Sequence, residues 1–122
     1  MLVVSAGTMK SSTYLPDRGD IVWINLDPRV GHEQSGHRPA LVLSPQLFSA
    51  RTGLAIICPI TSRIRGLSME RDLNGTSTKG AILPIQVRSV DFTTRRIKFI
   101  EKARKQIVDD VAKKVSLIIG AS

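Results

Sequence analysis

Cysteine and histidine are scarce in this sequence of 122 residues, which has one cysteine and two histidines. A single thiol cannot form a disulfide framework, and two histidines without a cysteine partner make no recognisable metal signature. Cys58 lies in the apolar stretch LAIICPI and is predicted to be a small buried thiol. The chain is therefore expected to use no metal and no cofactor.

Long hydrophobic runs are also missing. No stretch approaches the roughly 18 apolar residues of a membrane span, and the start MLVVSAG lacks the basic region and long apolar core of a signal peptide. A cytoplasmic protein without membrane contact is therefore expected. Residues 1–13 are mostly small and polar, which predicts a flexible leader ahead of a single domain over residues 14–122.

Aromatic residues make up only 4% of the chain. With so few rings, any nucleic-acid bases would be held mainly by hydrogen bonds and charge rather than on a stacking platform. Trp23 stands in the middle of an apolar run with apolar residues at both strand parities. That setting favours a core position for its ring over a base-stacking one.

Positive charge is in excess. Eighteen Lys and Arg against ten Asp and Glu give a net charge of +8, which points to a polyanion or an acidic protein as partner. The alternative is a merely soluble basic surface, because net charge alone identifies no site. The apolar fraction of 42% is enough for one hydrophobic core.

The apolar pattern predicts a mainly β protein that ends in a helix. Short β-branched or alternating runs predict strands at residues 21–26, 39–44, 54–62, 67–73, 81–91 and 95–100. Pro84 either divides the fifth run into two short strands or bulges it, and Pro39 can stand only at the first position of a strand or on an edge. The run at 45–53 is a connection with room for a helical turn, and the run at 95–100 should be a half-buried strand.

A helical period replaces the strand pattern over residues 104–119. The apolar positions on its predicted inner face are Ile107, Val108, Val111, Val115 and Ile118. Gly120 is placed to end the helix, and Asp109 with Lys113 and Asp110 with Lys114 are spaced as favourable ion pairs.

The stretch 31–45, GHEQSGHRPALVLSP, carries most of the candidate chemistry. RNA can be cut without a metal if one group removes the 2′-hydroxyl proton, another stabilises charge on phosphorus, and a third protonates the leaving oxygen. Glu33 can act as the base, Arg38 can hold two phosphate oxygens, and His37 or His32 can supply the proton. These residues also have plainer interpretations, since Glu33 and Arg38 can form a surface ion pair and the histidines can be solvated loop residues. Thr61, near the end of the predicted strand at 54–62, can likewise be an ordinary strand-end residue.

Four blocks of the chain, in this order, resemble one known family. They are RGDIVWINLDP, GHEQSGHRPALVLSP, TGLAIICPITS and KGAILPIQVRSVD. Together they are similar to the MazF/PemK (Kid) family of toxin endoribonucleases, over roughly residues 14–120. The resemblance implies a CcdB/MazF-like fold, an SH3-like small barrel with added strands and short helices, assembled as a homodimer.

The same resemblance implies metal-independent, sequence-specific cleavage of single-stranded RNA, mostly mRNA, leaving a 2′,3′-cyclic phosphate and a 5′-hydroxyl. It places the catalytic arginine at Arg38, the catalytic threonine at Thr61 and the loop glutamate at Glu33. The residues expected to contact RNA are Gln34, His37, His32, Ser62, Arg63, Gln86 and Arg88. An acidic, MazE-like antitoxin is implied as a partner, with DNA binding by the toxin–antitoxin complex.

One position departs from the family pattern. Members commonly read LPDQV where this chain has Leu83 to Val87 as LPIQV, so Ile85 replaces an acidic residue and the cut site is expected to differ. Two other functions stay open. One is a non-enzymatic toxin of the same fold that poisons DNA gyrase, although that class ends in an aromatic pair and this chain ends LIIGAS. The other is a nucleic-acid-binding module without turnover.

Overall fold

The computed structural model describes residues 14–26, 36–63, 66 and 69–121. The predicted leader at 1–13 lies outside these residues. Within these ranges, seven strands and two helices follow one another as β1 (Asp20–Asn25), β2 (His37–Val42), α1 (Gln46–Thr52), β3 (Leu54–Thr61), β4 (Arg71–Asp72), β5 (Ala81–Ile82), β6 (Arg88–Asp91), β7 (Lys98–Lys102) and α2 (Lys105–Ile119). Short 3₁₀ turns lie at Pro84–Gln86 and Phe92–Thr94.

The strands form one antiparallel sheet in the order β4-β5-β3-β2-β1-β7, with β6 also paired to β3. β3 is the longest strand and holds the sheet together. One edge of β3 pairs with β2, while its other edge pairs first with β6, at Leu54 to Ile57, and then with β5, at Ile60 and Thr61. The predicted fold class, mainly β with a C-terminal helix, is confirmed.

Successive residues of the central strands alternate between two apolar clusters. Ile21 and Leu41 pack with Ile107 and Val111 of α2, whereas their neighbours Val22 and Val42 pack on the opposite face of the sheet. Strand side chains point to alternate faces. The run at 21–26, with apolar residues at both strand parities, is therefore buried on both faces of the sheet, and α2 covers one of these faces.

Trp23 is not the core residue that its setting predicted. Its side chain is 41% exposed, while Val22 and Ile24 beside it are fully buried. The α2 side chains that cover this face of the sheet pack on Ile21, two residues earlier. The indole lies on the same face beyond the area covered by α2, which no local pattern could reveal.

Two other strand predictions need correction. The strand predicted at 95–100 is β7 at Lys98–Lys102, and it is an edge strand with Phe99 and Ile100 exposed rather than half-buried. In the run at 67–73 the strand is only Arg71–Asp72, because its partner β5 also has just two residues.

The end of α2 also differs from the helical prediction. Ile118 is exposed because the last turn extends past the residues that α2 buries, of which Val111 is the last. The Asp110–Lys114 ion pair is present at 3.0 Å, but Asp109 is engaged by Lys105 at 2.6 Å and by Arg18 at 3.3 Å. Gly120 ends the helix in the left-handed conformation, as predicted.

One of the two proline predictions is confirmed and the other is wrong. The sequence 81–91 forms two short strands separated by the 3₁₀ turn that starts at Pro84, one of the two predicted alternatives. Pro39 is the third residue of β2 rather than the first. It pairs with Trp23 of β1, and the pairing of β2 with β3 starts only at Ala40, so the missing N–H of Pro39 leaves no ladder bond unmade.

Candidate active site

A cavity of about 490 Å³ lies where the start of β2 meets the end of β3. These two ends are adjacent because the strands run antiparallel, with Ala40 opposite Pro59. The cavity is lined by Arg38, Pro59, Ile60, Thr61, Ser62, Arg63, Glu70, Leu83, Ile85 and Gln86. Five of the predicted site residues, Arg38, Thr61, Ser62, Arg63 and Gln86, are brought together here.

Arg38 is the second residue of β2 and is held on one side by its pairing with Ile24 of β1. Its side chain is exposed at the rim, so the guanidinium can reach a ligand without first leaving the core. A guanidinium offers two parallel N–H donors to a phosphate. Pairing with β1 therefore fixes the backbone of Arg38, whose guanidinium is well suited to hold a phosphate in this cavity.

Thr61 is the last residue of β3 and is half-buried. Its Oγ1 accepts a hydrogen bond from the backbone N–H of Arg63 at 3.1 Å. A hydroxyl that accepts through a lone pair keeps its own proton for donation. The hydroxyl is thus oriented by the chain turn after β3 and can donate to an anion in the cavity.

Gly80 lies directly against the backbone of Thr61. A Cβ built on Gly80 would stand 2.3 Å from the Thr61 carbonyl oxygen, and the φ angle of Gly80 is +131°. The next residue, Ala81, pairs with Thr61 across the sheet. This close approach holds the end of β3 in place, and it was not predicted because a glycine in a turn-rich stretch gives no sign of what packs on it.

The far wall of the cavity comes from the 3₁₀ turn at Pro84–Gln86. Pro84 is buried and anchors the turn, while Ile85 is 57% exposed and Gln86 is also exposed. The residue that departs from the family pattern therefore lines the cavity. Its side chain adds apolar surface where an acid would add a hydrogen-bond acceptor.

Glu70 was not among the predicted site residues, because residues 67–73 were interpreted only as a strand. Its carboxylate accepts a hydrogen bond from the backbone N–H of Gly66 at 3.1 Å and lines the same cavity as Arg38. Among the described residues, the cavity is therefore lined by two cationic side chains, Arg38 and Arg63, and by the carboxylate of Glu70.

The remaining predicted site residues lie elsewhere. Glu33, Gln34 and His32 fall outside the described residues. His37 begins β2 but stacks on Trp23 instead of lining the cavity, with ring centroids 5.9 Å apart and an angle of 21° between the planes. Arg88 is exposed in β6 opposite Ile57 and is not among the residues that line the cavity.

Neither a thiol nor a metal cluster contributes near this cavity in the described part of the chain. Burial raises the pKa of the Cys58 thiol to about 12, so it stays protonated and is a poor nucleophile at neutral pH. No group of three or more His, Cys, Asp or Glu side chains that could hold a metal occurs among residues 14–26, 36–63, 66 and 69–121. Within the same ranges, no helix is long and apolar enough to cross a membrane.

Known proteins match this chain over most of its length. A family model for PemK-like, MazF-like toxins of type II toxin–antitoxin systems matches residues 17–119. The endoribonuclease toxin MazF of Escherichia coli strain K12 is 35% identical over 109 residues, which cover 89% of this chain and 98% of that protein.

Two crystal structures from Deinococcus radiodurans are similar in fold. MazF has a TM-score of 0.80 at 40% identity, covering 88% of this chain and 98% of that one. A MazE–MazF structure has a TM-score of 0.81 at 37% identity, covering 89% and 100% of the two chains. The resemblance read from the four sequence blocks is confirmed, and the chain belongs to the PemK/MazF family of toxins of type II toxin–antitoxin systems.

Proposed function

We propose that this protein is a metal-independent endoribonuclease that cuts single-stranded RNA, chiefly mRNA in the cytoplasm, at short sequence motifs. The observation that carries the proposal is that Arg38 and Thr61 line one cavity, with the Thr61 hydroxyl oriented by the backbone of Arg63. The related proteins are endoribonucleases, which favours this function over the gyrase-poisoning alternative.

The scissile phosphate would lie between the Arg38 guanidinium and the Thr61 hydroxyl. The RNA 2′-oxygen attacks phosphorus and loses its proton to a base, for which we propose Glu33. The bond from phosphorus to the 5′-oxygen then breaks, and that oxygen takes up a proton. The products are a 2′,3′-cyclic phosphate and a 5′-hydroxyl.

Arg38 supplies the charge that this reaction needs. Negative charge grows on the phosphate oxygens in the pentavalent state, and a fixed guanidinium with a fixed hydroxyl stabilises it without rearrangement. Loss of one such donor costs about 10²- to 10³-fold in rate in comparable sites. Because a side chain supplies the charge, cleavage should persist in excess EDTA.

The test uses a long single-stranded RNA in EDTA with wild type, Arg38→Ala and Thr61→Ala. Arg51→Ala is a matched control, because Arg51 is exposed in the last turn of α1 and does not line the cavity. We expect cutting by wild type and Arg51→Ala, and a loss of about 100-fold or more in the two site variants. Intact RNA with wild type, or full activity in Arg38→Ala, would refute the proposal.

Product ends provide an independent check on the mechanism. A 5′-hydroxyl end accepts phosphate from polynucleotide kinase directly, whereas a 5′-phosphate end must first be dephosphorylated. We expect direct labelling of the new fragments, and mapping the labelled ends would give the recognition motif. Fragments that label only after dephosphorylation would rule out attack by the 2′-hydroxyl.

We also propose that the protein is a homodimer and that an acidic antitoxin of the MazE type inhibits it. Two observations support these partners: the net charge of +8 with Arg38 and Arg63 at an open cavity, and the exposed apolar side chains of Leu117 and Ile119 at the end of α2. Light scattering should give twice the chain mass, and Ile119→Asp should reduce it if this helix end is the contact. Acidic polyglutamate should compete with RNA for the cavity in a salt-dependent manner.

A further inference from the structure

Trp23 is an exposed aromatic side chain in the middle of the sheet. It is paired on both sides, with Pro39 of β2 and Lys98 of β7, yet 41% of its surface is exposed. The residues before and after it, Val22 and Ile24, are fully buried. The backbone here is rigid, so the indole is presented to solvent from a fixed position.

His37 fixes the orientation of this ring. The imidazole and indole centroids are 5.9 Å apart and their planes differ by 21°, which is a stacked arrangement. Stacking of two flat rings restricts the indole before any ligand binds, so less entropy is lost on binding. The pair therefore resembles a preformed surface for a third flat group.

The strand register joins this pair to the candidate active site. Trp23 lies opposite Pro39 of β2. Continuing the register of the Ala40–Pro59 pair by one residue places Ile60 of β3 opposite Pro39, and Ile60 lines the cavity. Neighbouring strands lie about 4.8 Å apart, so the Trp23 backbone is about 10 Å from the Ile60 backbone. Ile60 and Ile21 pack in the same apolar cluster, so Trp23, two residues after Ile21, faces the same side of the sheet as Ile60. RNA that leaves the cavity on this side would pass close to the indole.

Charge distinguishes the kind of ligand that suits this surface. The cross-strand neighbour of Trp23 is Lys98, which is exposed, and the residue after His37 is Arg38. Proteins that bind single-stranded nucleic acid combine aromatic side chains for the bases with cations for the backbone. A purely apolar contact between two copies of the chain would not favour lysine at this position.

We propose that Trp23, backed by His37, is a stacking platform for an unpaired base of the RNA that occupies the Arg38–Thr61 cavity. The proposal rests on the endoribonuclease function proposed above. The platform accepts any base, since every base has a π face, and it holds the strand next to the cut site rather than selecting the motif. It also revises the sequence-based expectation that bases are held mainly by hydrogen bonds and charge.

Intrinsic fluorescence offers a direct test, because Trp23 is the only tryptophan in the chain. The probe is a single-stranded 2′-deoxy oligonucleotide, which lacks the attacking hydroxyl and cannot be cut by the proposed reaction. We expect saturable quenching of Trp23 emission by the oligonucleotide. Trp23→Ala should weaken oligonucleotide binding about 5- to 150-fold, and Trp23→Phe much less because a flat ring remains.

Leu47→Ala is the matched control, since Leu47 is exposed on α1 and does not line the cavity. Its binding should equal that of wild type, and circular dichroism should show that all variants fold. Unchanged emission at saturating oligonucleotide would overturn the platform, as would wild-type affinity in Trp23→Ala. If Trp23 emission changes with protein concentration in the absence of oligonucleotide, and Trp23→Ala is monomeric, Trp23 would instead lie at a contact between two copies of the chain.

The outcome is separable from that of the proposed function. If wild type cuts RNA but Trp23 emission does not respond, the platform is wrong and the endoribonuclease proposal stands. If the oligonucleotide quenches Trp23 but RNA is never cut, the surface binds nucleic acid and the endoribonuclease proposal is wrong.

Discussion

Gly80 is not among the residues that line the cavity, yet replacing it by alanine should strongly slow the proposed enzyme. The new Cβ would stand 2.3 Å from the Thr61 carbonyl oxygen and 3.0 Å from its carbonyl carbon. Ordinary contact begins at 3.4 Å, so the two backbones must separate by about 1 Å. Gly80 cannot simply move away, because its carbonyl accepts a hydrogen bond from Leu73 at 2.9 Å and Ala81 is paired with Thr61.

Two costs can be estimated. The φ angle of +131° is unfavourable for alanine, and a residue held in such a region costs about 1–3 kcal/mol of stability. The second cost falls on the rate, since a misplacement of about 1 Å at a catalytic group can reduce turnover about 100-fold. We expect Gly80→Ala to fold with reduced stability and to cut RNA about 100 times more slowly than wild type.

Single-turnover cleavage of one defined RNA, with urea unfolding in parallel, would measure both effects. Gly120→Ala is a matched control, because Gly120 also has a positive φ of +78° but no atom within 4 Å of the position of a Cβ. It should lose up to about 1 kcal/mol and keep full activity. Equal cleavage rates for Gly80→Ala and wild type would refute the idea that Gly80 positions Thr61.

Two further predictions concern stability and reactivity. The Glu101 carboxylate accepts four hydrogen bonds from Ser77 and Thr78, and these lower its pKa from 4.5 to about 2. A lowered folded-state pKa gives stability that is present above about pH 4.5 and is lost as the pH falls towards 2. Glu101→Gln should therefore lose about 1–2 kcal/mol at pH 7 and show a flatter pH dependence of urea unfolding between pH 4.5 and 2. Equal pH profiles for the two proteins would contradict this assignment. Cys58 is fully buried with its pKa raised to about 12, so iodoacetamide at pH 8 should modify it only in denaturant, and rapid native-state labelling would contradict this.

Local sequence patterns were sufficient to predict the elements that depend only on residues close to them in the chain. The run at 54–62 appears as β3, the helical period at 104–119 appears as α2, and Gly120 ends that helix. Pro84 divides its run as one of the two predicted alternatives. Each of these follows from backbone chemistry or from periodicity, which act within a few residues.

The errors arose where a partner from elsewhere in the chain decided the outcome. Trp23 is exposed because α2 covers the sheet only as far as Ile21. Phe99 is exposed because β7 is an edge strand, and Asp109 pairs with Lys105 and Arg18 rather than with Lys113. Burial of a side chain depends on what packs over it, and that neighbour is distant in sequence.

The sequence by itself determined the family and the fold class and placed Arg38 and Thr61 among the candidate site residues, because ordered blocks of residues and their chemistry are local information. Only the tertiary structure decided that Glu70 enters the same cavity, that Gly80 supports Thr61, and that His37 stacks on Trp23 instead of lining the cavity. The physical reason is that antiparallel pairing brings the start of β2 to the end of β3, while strand alternation sends neighbouring side chains to opposite faces. Two residues adjacent in sequence, His37 and Arg38, therefore point to opposite faces of the sheet, and of the two only Arg38 lines the cavity.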